Sequence, residues 1–259
     1  MKFVITADTD IGTSRNINQD SYCYKICSDG KSQMAMAVVC DGMGGLSGGE
    51  YSSGILVDNI STWFNTSFFE SLKTYGVDSS EVIGKNLKYL TQTVSQTDFQ
   101  IKEHSERSGT SSGTTMSLLL MNESDMLLFH VGDSRIYRIT DKIEQLSTDH
   151  SVVEREYRLG NITLKEKETD SRRNILTQCI GASSGITPQV DLVRSKKGVY
   201  LLCSDGFRHK NSDEEILNRL SPAKLHNRQE MKAALRSLID KAMLEGEGDN
   251  ITAVLLKAE

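Results

Sequence analysis

Short apolar runs that stop at an aspartate constrain this chain more than any other feature of its sequence. Asp41 ends MAMAVVCD, Asp133 follows MLLFHVG, Asp205 ends GVYLLCSD, and Asp249 stands just ahead of NITAVLL. Runs of this length bounded by glycine predict buried strands. A carboxylate at the end of such a strand is costly unless something cationic meets it there. No lysine or arginine adjoins three of the four. Hard divalent cations bound through oxygen would satisfy the set, so the pattern points to a metal centre.

Bulk properties narrow the class. At 259 residues the chain could be one large domain or two small ones. With only two prolines and no linker rich in proline or glycine, a single domain over 1–259 is expected. Hydrophobic content of 37% and charged content of 25% are those of a soluble globular protein. A net charge of -5 with no lysine/arginine block argues against a nucleic-acid binder. No apolar stretch is long enough to span a membrane, and the start, MKFVITADTD, turns acidic too early for a secretory signal. The five cysteines form no C-x-x-C pair and have no histidine at zinc-like spacing. They are expected to be reduced thiols in a cytoplasmic protein. With no further interaction segment outside the domain, a monomer is expected.

Strands are predicted near 2–7, 21–27, 34–40, 113–121, 125–131, 134–140, 190–195, 198–204 and 250–256. The SDG at 28–30 and NESD at 122–125 look like hairpin connections. Leu56, Ile60, Trp63 and Phe64 mark a helix over roughly 47–67. Ile83, Leu87, Leu90, Val94 and Ile101 recur at helical spacing through 79–106, with Ser79 or Ser80 as cap. A last helix spans 228–244. Helices lying between blocks of hairpins favour an α+β fold with antiparallel sheets over a doubly wound parallel one. The stretch 151–185 is polar and charged, and is expected to be a helical, flap-like insertion on the surface near the site.

The ordered set RNINQD, VVCDGMGG, SGTT, VGDSRIY, LSTDHS, NILTQCIG, LLCSDG and GDNIT resembles the metal-dependent protein serine/threonine phosphatases of type 2C, in their compact bacterial form. The match runs from about residue 8 to 256. The resemblance implies two packed antiparallel β-sheets flanked by pairs of α-helices. It also implies hydrolysis of phosphoserine and phosphothreonine by a metal-bridging hydroxide that attacks phosphorus in line. Asp41 would bridge two ions, Mn²⁺ or Mg²⁺, and the Gly42 carbonyl would bind one of them. Asp205 and Asp249 would hold the other. Asp133 matches a carboxylate that many bacterial members use for a third ion, shared with Asp205. Asp20 would support the metal waters from behind, and Arg15 would grip the substrate phosphate. Phosphorylated proteins would be the substrates, and a serine/threonine kinase the activity reversed.

Two metals sharing a water suit the chemistry, because a phosphate monoester needs both an activated nucleophile and charge neutralisation. The chain also departs from its relatives. Met43 stands where many eukaryotic members carry a histidine proposed to protonate the leaving oxygen. That leaves a metal-bound water, or else His150, as the proton donor. DSRRN replaces the HPxRN often found near the end of the insertion, and SDGF is followed by Arg208, His209 and Lys210. Asp133 has a rival reading as a hairpin device paired with Arg135. Two further function classes stay open: a binding-only relative of the phosphatases, and a metal-dependent esterase of small phosphorylated molecules.

Overall fold

The computed structural model describes residues 1–44 and 48–259. The chain opens with β1 (Phe3–Asp10), β2 (Asp20–Ser28) and β3 (Gln33–Gly44). Helix α1 (Gly49–Trp63) passes through a π-turn at Phe64–Phe68 into α2 (Phe69–Tyr75), and α3 (Ser80–Ser108) follows. A meander comes next: β4 (Ser112–Thr114), β5 (Met116–Met121), β6 (Asp125–Val131), β7 (Arg135–Ile139) and β8 (Ile143–Gln145). The polar segment carries α4 (Val152–Arg158) and α5 (Leu164–Thr169). The chain continues through β9 (Gln189–Arg194), β10 (Gly198–Cys203), α6 (Asp205–His209), α7 (Asp213–Leu220), α8 (Arg228–Leu244) and β11 (Ile251–Ala258).

One sheet has the strand order β1-β11-β10-β7-β8; the other runs β2-β3-β5-β6-β9, with β4 paired to the end of β3. Neighbours are antiparallel throughout both sheets. The fold is the expected α+β arrangement of two antiparallel sheets with helices outside. Strand β3 shows why the apolar runs are unbroken. Ala35, Ala37 and Val39 point between the sheets, where they meet Leu119, Leu128, Leu202 and Val254. Met34, Met36, Val38 and Cys40 point the other way, onto Leu56 and Ile60 of α1 and Leu90 and Val94 of α3. The first sheet is covered likewise, with Leu201, Cys203 and Leu255 against Ile216, Leu235 and Ile239 of α7 and α8. A strand buried on both faces has no reason to alternate polar with apolar residues. Each fully buried leucine or isoleucine contributes roughly 1.5–3 kcal/mol to holding the layers together.

The long helix begins as its cap predicts: the Ser79 hydroxyl accepts from Glu81 N at 3.1 Å, and Gly109 ends the helix in the left-handed region. The expected helix at 47–67 differs more. Its first position, 47, lies outside the described residues, and the helix starts at Gly49. Its far end continues to Tyr75, because the π-turn keeps Phe64, Phe68 and Leu72 buried while Phe69 stays exposed. Strand β8 and helices α6 and α7 were not anticipated; β8 is three residues long and buries none of them. Among the described residues no helix is long and apolar enough to cross a membrane.

Candidate metal centre

Asp20 opens β2 and lies opposite Asp41 in the β2–β3 register. The backbone of Asp41 is clamped from β4 and β5. Its N–H donates to Thr115 Oγ1 at 2.9 Å, and its carbonyl accepts from Thr115 N at 2.9 Å and Thr114 Oγ1 at 3.0 Å. Thr115 is tied in turn to Ser134 at 2.8 Å, which locks the loop carrying Asp133 to the same frame. Gly42 is required by close approach: a Cβ there would lie 2.2 Å from Gly49 O and 2.4 Å from Gln19 O. Asp205 is the first residue of α6, and Asp249 lies just before β11.

Asn250 joins the two ends of the chain at the site. Its Nδ2 donates to Ile11 O at 2.9 Å and Ile17 O at 3.2 Å, and its Oδ1 accepts from Gln19 N at 2.8 Å. The loop between β1 and β2, which carries Arg15, is thereby held against Asp249. Gly12 lies beneath that aspartate with φ +79°, and a Cβ on it would come 2.0 Å from Asp249 O. The asparagine of GDNIT was visible in the sequence, but nothing there indicated that its amide organises a loop more than two hundred residues away.

The aspartates raise one another. Burial first, and then the carboxylates of Asp20, Asp205, Asp133 and Asp249, push Asp41 well above the usual carboxylate range. Burial pushes Asp20 up to about 7; hydrogen bonds from Thr252 and Ser204 pull it down, while Asp205 and Asp249 push it further up. Ser204 Oγ donates to Asp20 Oδ2 at 2.8 Å, whereas Oδ1 of Asp20 is buried and unpartnered among the described residues. Among those residues no three histidine, cysteine, aspartate or glutamate side chains close into a ready-made metal cage. Acidic oxygens that repel one another without touching suit ions that keep several waters, as Mg²⁺ does. A donor set of carboxylate oxygens alone has the chemistry that hard divalent ions take.

Protein phosphatase 2C is the family whose model matches, over residues 13–248. The chain belongs to the protein phosphatase 2C family. A protein phosphatase 2C-type protein of Streptococcus pyogenes is 31% identical over 98% of this chain and 97% of its own length. Protein phosphatase PhpP of Streptococcus pneumoniae is 29% identical over 96% of this chain and 94% of its own. Serine/threonine phosphatase Stp1 from Staphylococcus aureus has a TM-score of 0.82 at 26% identity, covering 100% of this chain and 96% of its own.

At Asp249 of this phosphatase opens a cleft of about 1030 Å³, lined also by Arg15, Arg208, His209 and residues of the 151–185 segment such as Lys167 and Arg173. Arg15 holds Asp249 through two bonds, Nε to Oδ1 at 2.9 Å and Nη2 to Oδ2 at 3.0 Å. His209 stands 3.4 Å from Asp205 Oδ2 and 3.5 Å from Glu247 Oε2. His150 is elsewhere. Its Nδ1 accepts from Gly132 N at 3.1 Å, its ring lies 5.1 Å from that of His130, and it lines an adjoining cavity of about 510 Å³ that shares Asp149 and Ser151 with the cleft. Burial lowers the pKa of His150. The hairpin reading of Asp133 is overturned. Arg135 pairs instead with Asp149, Nε to Oδ1 at 2.9 Å and Nη2 to Oδ2 at 2.7 Å, where it is better buried and bidentate.

Proposed function

We propose that this phosphatase removes phosphate from phosphoserine and phosphothreonine in proteins, with two divalent ions, Mn²⁺ or Mg²⁺, held by Asp41, the Gly42 carbonyl, Asp205 and Asp249. The observation that carries the reading is the convergence of aspartates from β2, β3, α6 and the residue before Asn250 into mutual repulsion, with Asp249 on the wall of an open cleft. When bound, the ions supply an activated water to attack phosphorus in line and positive charge to meet the phosphoryl oxygens. The chain's own groups do the rest. Asp20, behind Asp41, has an oxygen to offer to ordered water. The fork of Arg15 that grips Asp249 suits two oxygens of a phosphate equally well, and its side chain is 52% exposed, so it can swing at little cost. Met43 has no proton to give, and the protonation of the leaving serine oxygen is assigned to water in the cleft.

The whole chain acts as one catalytic domain, and the 151–185 segment, with α4 and α5, forms the cleft wall that meets the phosphoprotein. The names of the relatives support serine/threonine specificity, and a cognate serine/threonine kinase is the activity this enzyme reverses.

Metal-stripped protein should not hydrolyse a phosphothreonine peptide, and added Mn²⁺ should restore turnover. Folded, metal-loaded protein that acts on small phosphorylated metabolites and not on any phosphopeptide would overturn the assignment. In the Arg15→Ala variant, KM for the peptide should rise about tenfold or more, while Mn²⁺ affinity holds or improves because Asp249 loses its competing partner. An unchanged KM would move the phosphate grip to another residue.

A further inference from the structure

Arg208 breaks the acidic character of the site. It follows Asp205 by three residues in α6, the spacing that brings two helical side chains onto one face. Its Nη2 lies 3.7 Å from Asp133 Oδ2, and the two side chains are only 19% and 8% exposed. Among the described residues, Arg208 Nε is buried without an acceptor, and Asp133 is the only carboxylate in ion-pair range of the guanidinium. The neighbouring Arg135 is already committed to Asp149. A charge this deeply set is costly unless an opposite charge compensates it, and Asp133 is that charge.

We propose that Arg208 is a built-in cation standing in place of a third metal ion at Asp133, so that the enzyme works with two divalent ions where its resemblance to bacterial relatives implies three. The inference rests on the two-ion reading of Asp41, Asp205 and Asp249. A third ion on Asp133, shared with Asp205, would have to settle beside a buried guanidinium carried on the same short helix as Asp205. Repulsion between the two would be little screened at this depth. The guanidinium also supplies the balance that such an ion would bring. Two divalent ions and one arginine match the carboxylates of Asp20, Asp41, Asp133, Asp205 and Asp249, which leaves Arg15 for the substrate. The sequence carries the signature in SDGFRHK, where a basic residue follows the metal aspartate at the third position.

Counting bound Mn²⁺ tests this, by equilibrium dialysis with metal analysis and by the electron paramagnetic resonance of free Mn²⁺, with no substrate present. Wild type should saturate at two ions, and Asp133→Asn should leave that count at two. Arg208→Met should admit a third ion, which the Arg208→Met/Asp133→Asn double variant loses again. Three ions on wild type, falling to two in Asp133→Asn, would overturn the inference and leave the two-ion centre standing. Two ions in Arg208→Met, with the variant folded by circular dichroism, would also overturn it, because Arg208 would not be what excludes the third. If Arg208→Met fails to fold, the wild-type count and its indifference to Asp133→Asn still decide. No Mn²⁺ binding at all would remove the two-ion reading itself.

Discussion

The Asp41→Asn variant should keep its fold and lose its turnover, with kcat on a phosphothreonine peptide falling at least about 10³-fold at saturating Mn²⁺, roughly 4 kcal/mol of transition-state stabilisation. The argument rests on how Asp41 is held. Every strong contact to it from Thr114 and Thr115 is made to its backbone, so an isosteric amide disturbs none of them. The carboxylate is therefore available for a cation. It is also the centre of the mutual repulsion among Asp20, Asp133, Asp205 and Asp249. Replacing it with a neutral amide relieves that repulsion, so the metal-free variant should melt no lower than metal-free wild type. Peptide kinetics beside thermal melts with and without Mn²⁺ check both halves. Wild-type kcat in a folded variant would take the bridging role away from Asp41.

A second large effect is expected far from any carboxylate. Gly12→Ala should lower stability by roughly 3 kcal/mol or more and cut Mn²⁺ affinity with it, because the new Cβ can only be placed by moving the loop that carries Asp249. Two penalties coincide at this position: a φ of +79° and a backbone oxygen of Asp249 that would lie 2.0 Å from the added carbon. The control is Gly30→Ala. Gly30 has φ +89° but nothing within 4 Å of its Cβ, so it incurs only the conformational cost of about 1–2 kcal/mol and should bind Mn²⁺ like wild type. Thermal melts and Mn²⁺ titrations of the two variants separate strain from displacement. Equal Mn²⁺ affinity in both would show that Gly12 does not support the site.

Much of this was legible in the sequence for one physical reason. Strands such as β3 and β10, covered on both faces, read as continuous apolar runs, and a polar residue at their ends stands out. Elements with little to bury left no such trace. Strand β8 is only three residues long and buries none of them, and α6 and α7 are short helices that bury two residues each, too few to form a repeating apolar stripe. At the site, the aspartates were readable because each follows or precedes a run. The side-chain pairings were not. Whether Arg135 holds Asp133 or Asp149, whether Arg208 reaches Asp133, and whether His150 faces the cleft depend on which way loops turn after the strands end. Residue types alone leave those directions undetermined; tertiary packing sets them.

The pairing of β11 between β1 and β10 means that the proposed centre comes together only once β11 is in place. Arg15 and Asp249 meet across 234 positions of sequence, and Asp249 reaches its place only when the strand after it has inserted. During synthesis β1 and β10 wait with open edges, and the arginine loop has no partner to close on. Catalytic competence should therefore arrive in one step, with residues 251–258. The same geometry ties the lifetime of the active state to the opening rate of a single strand: any fluctuation that peels β11 away removes Asp249 and releases Arg15 together.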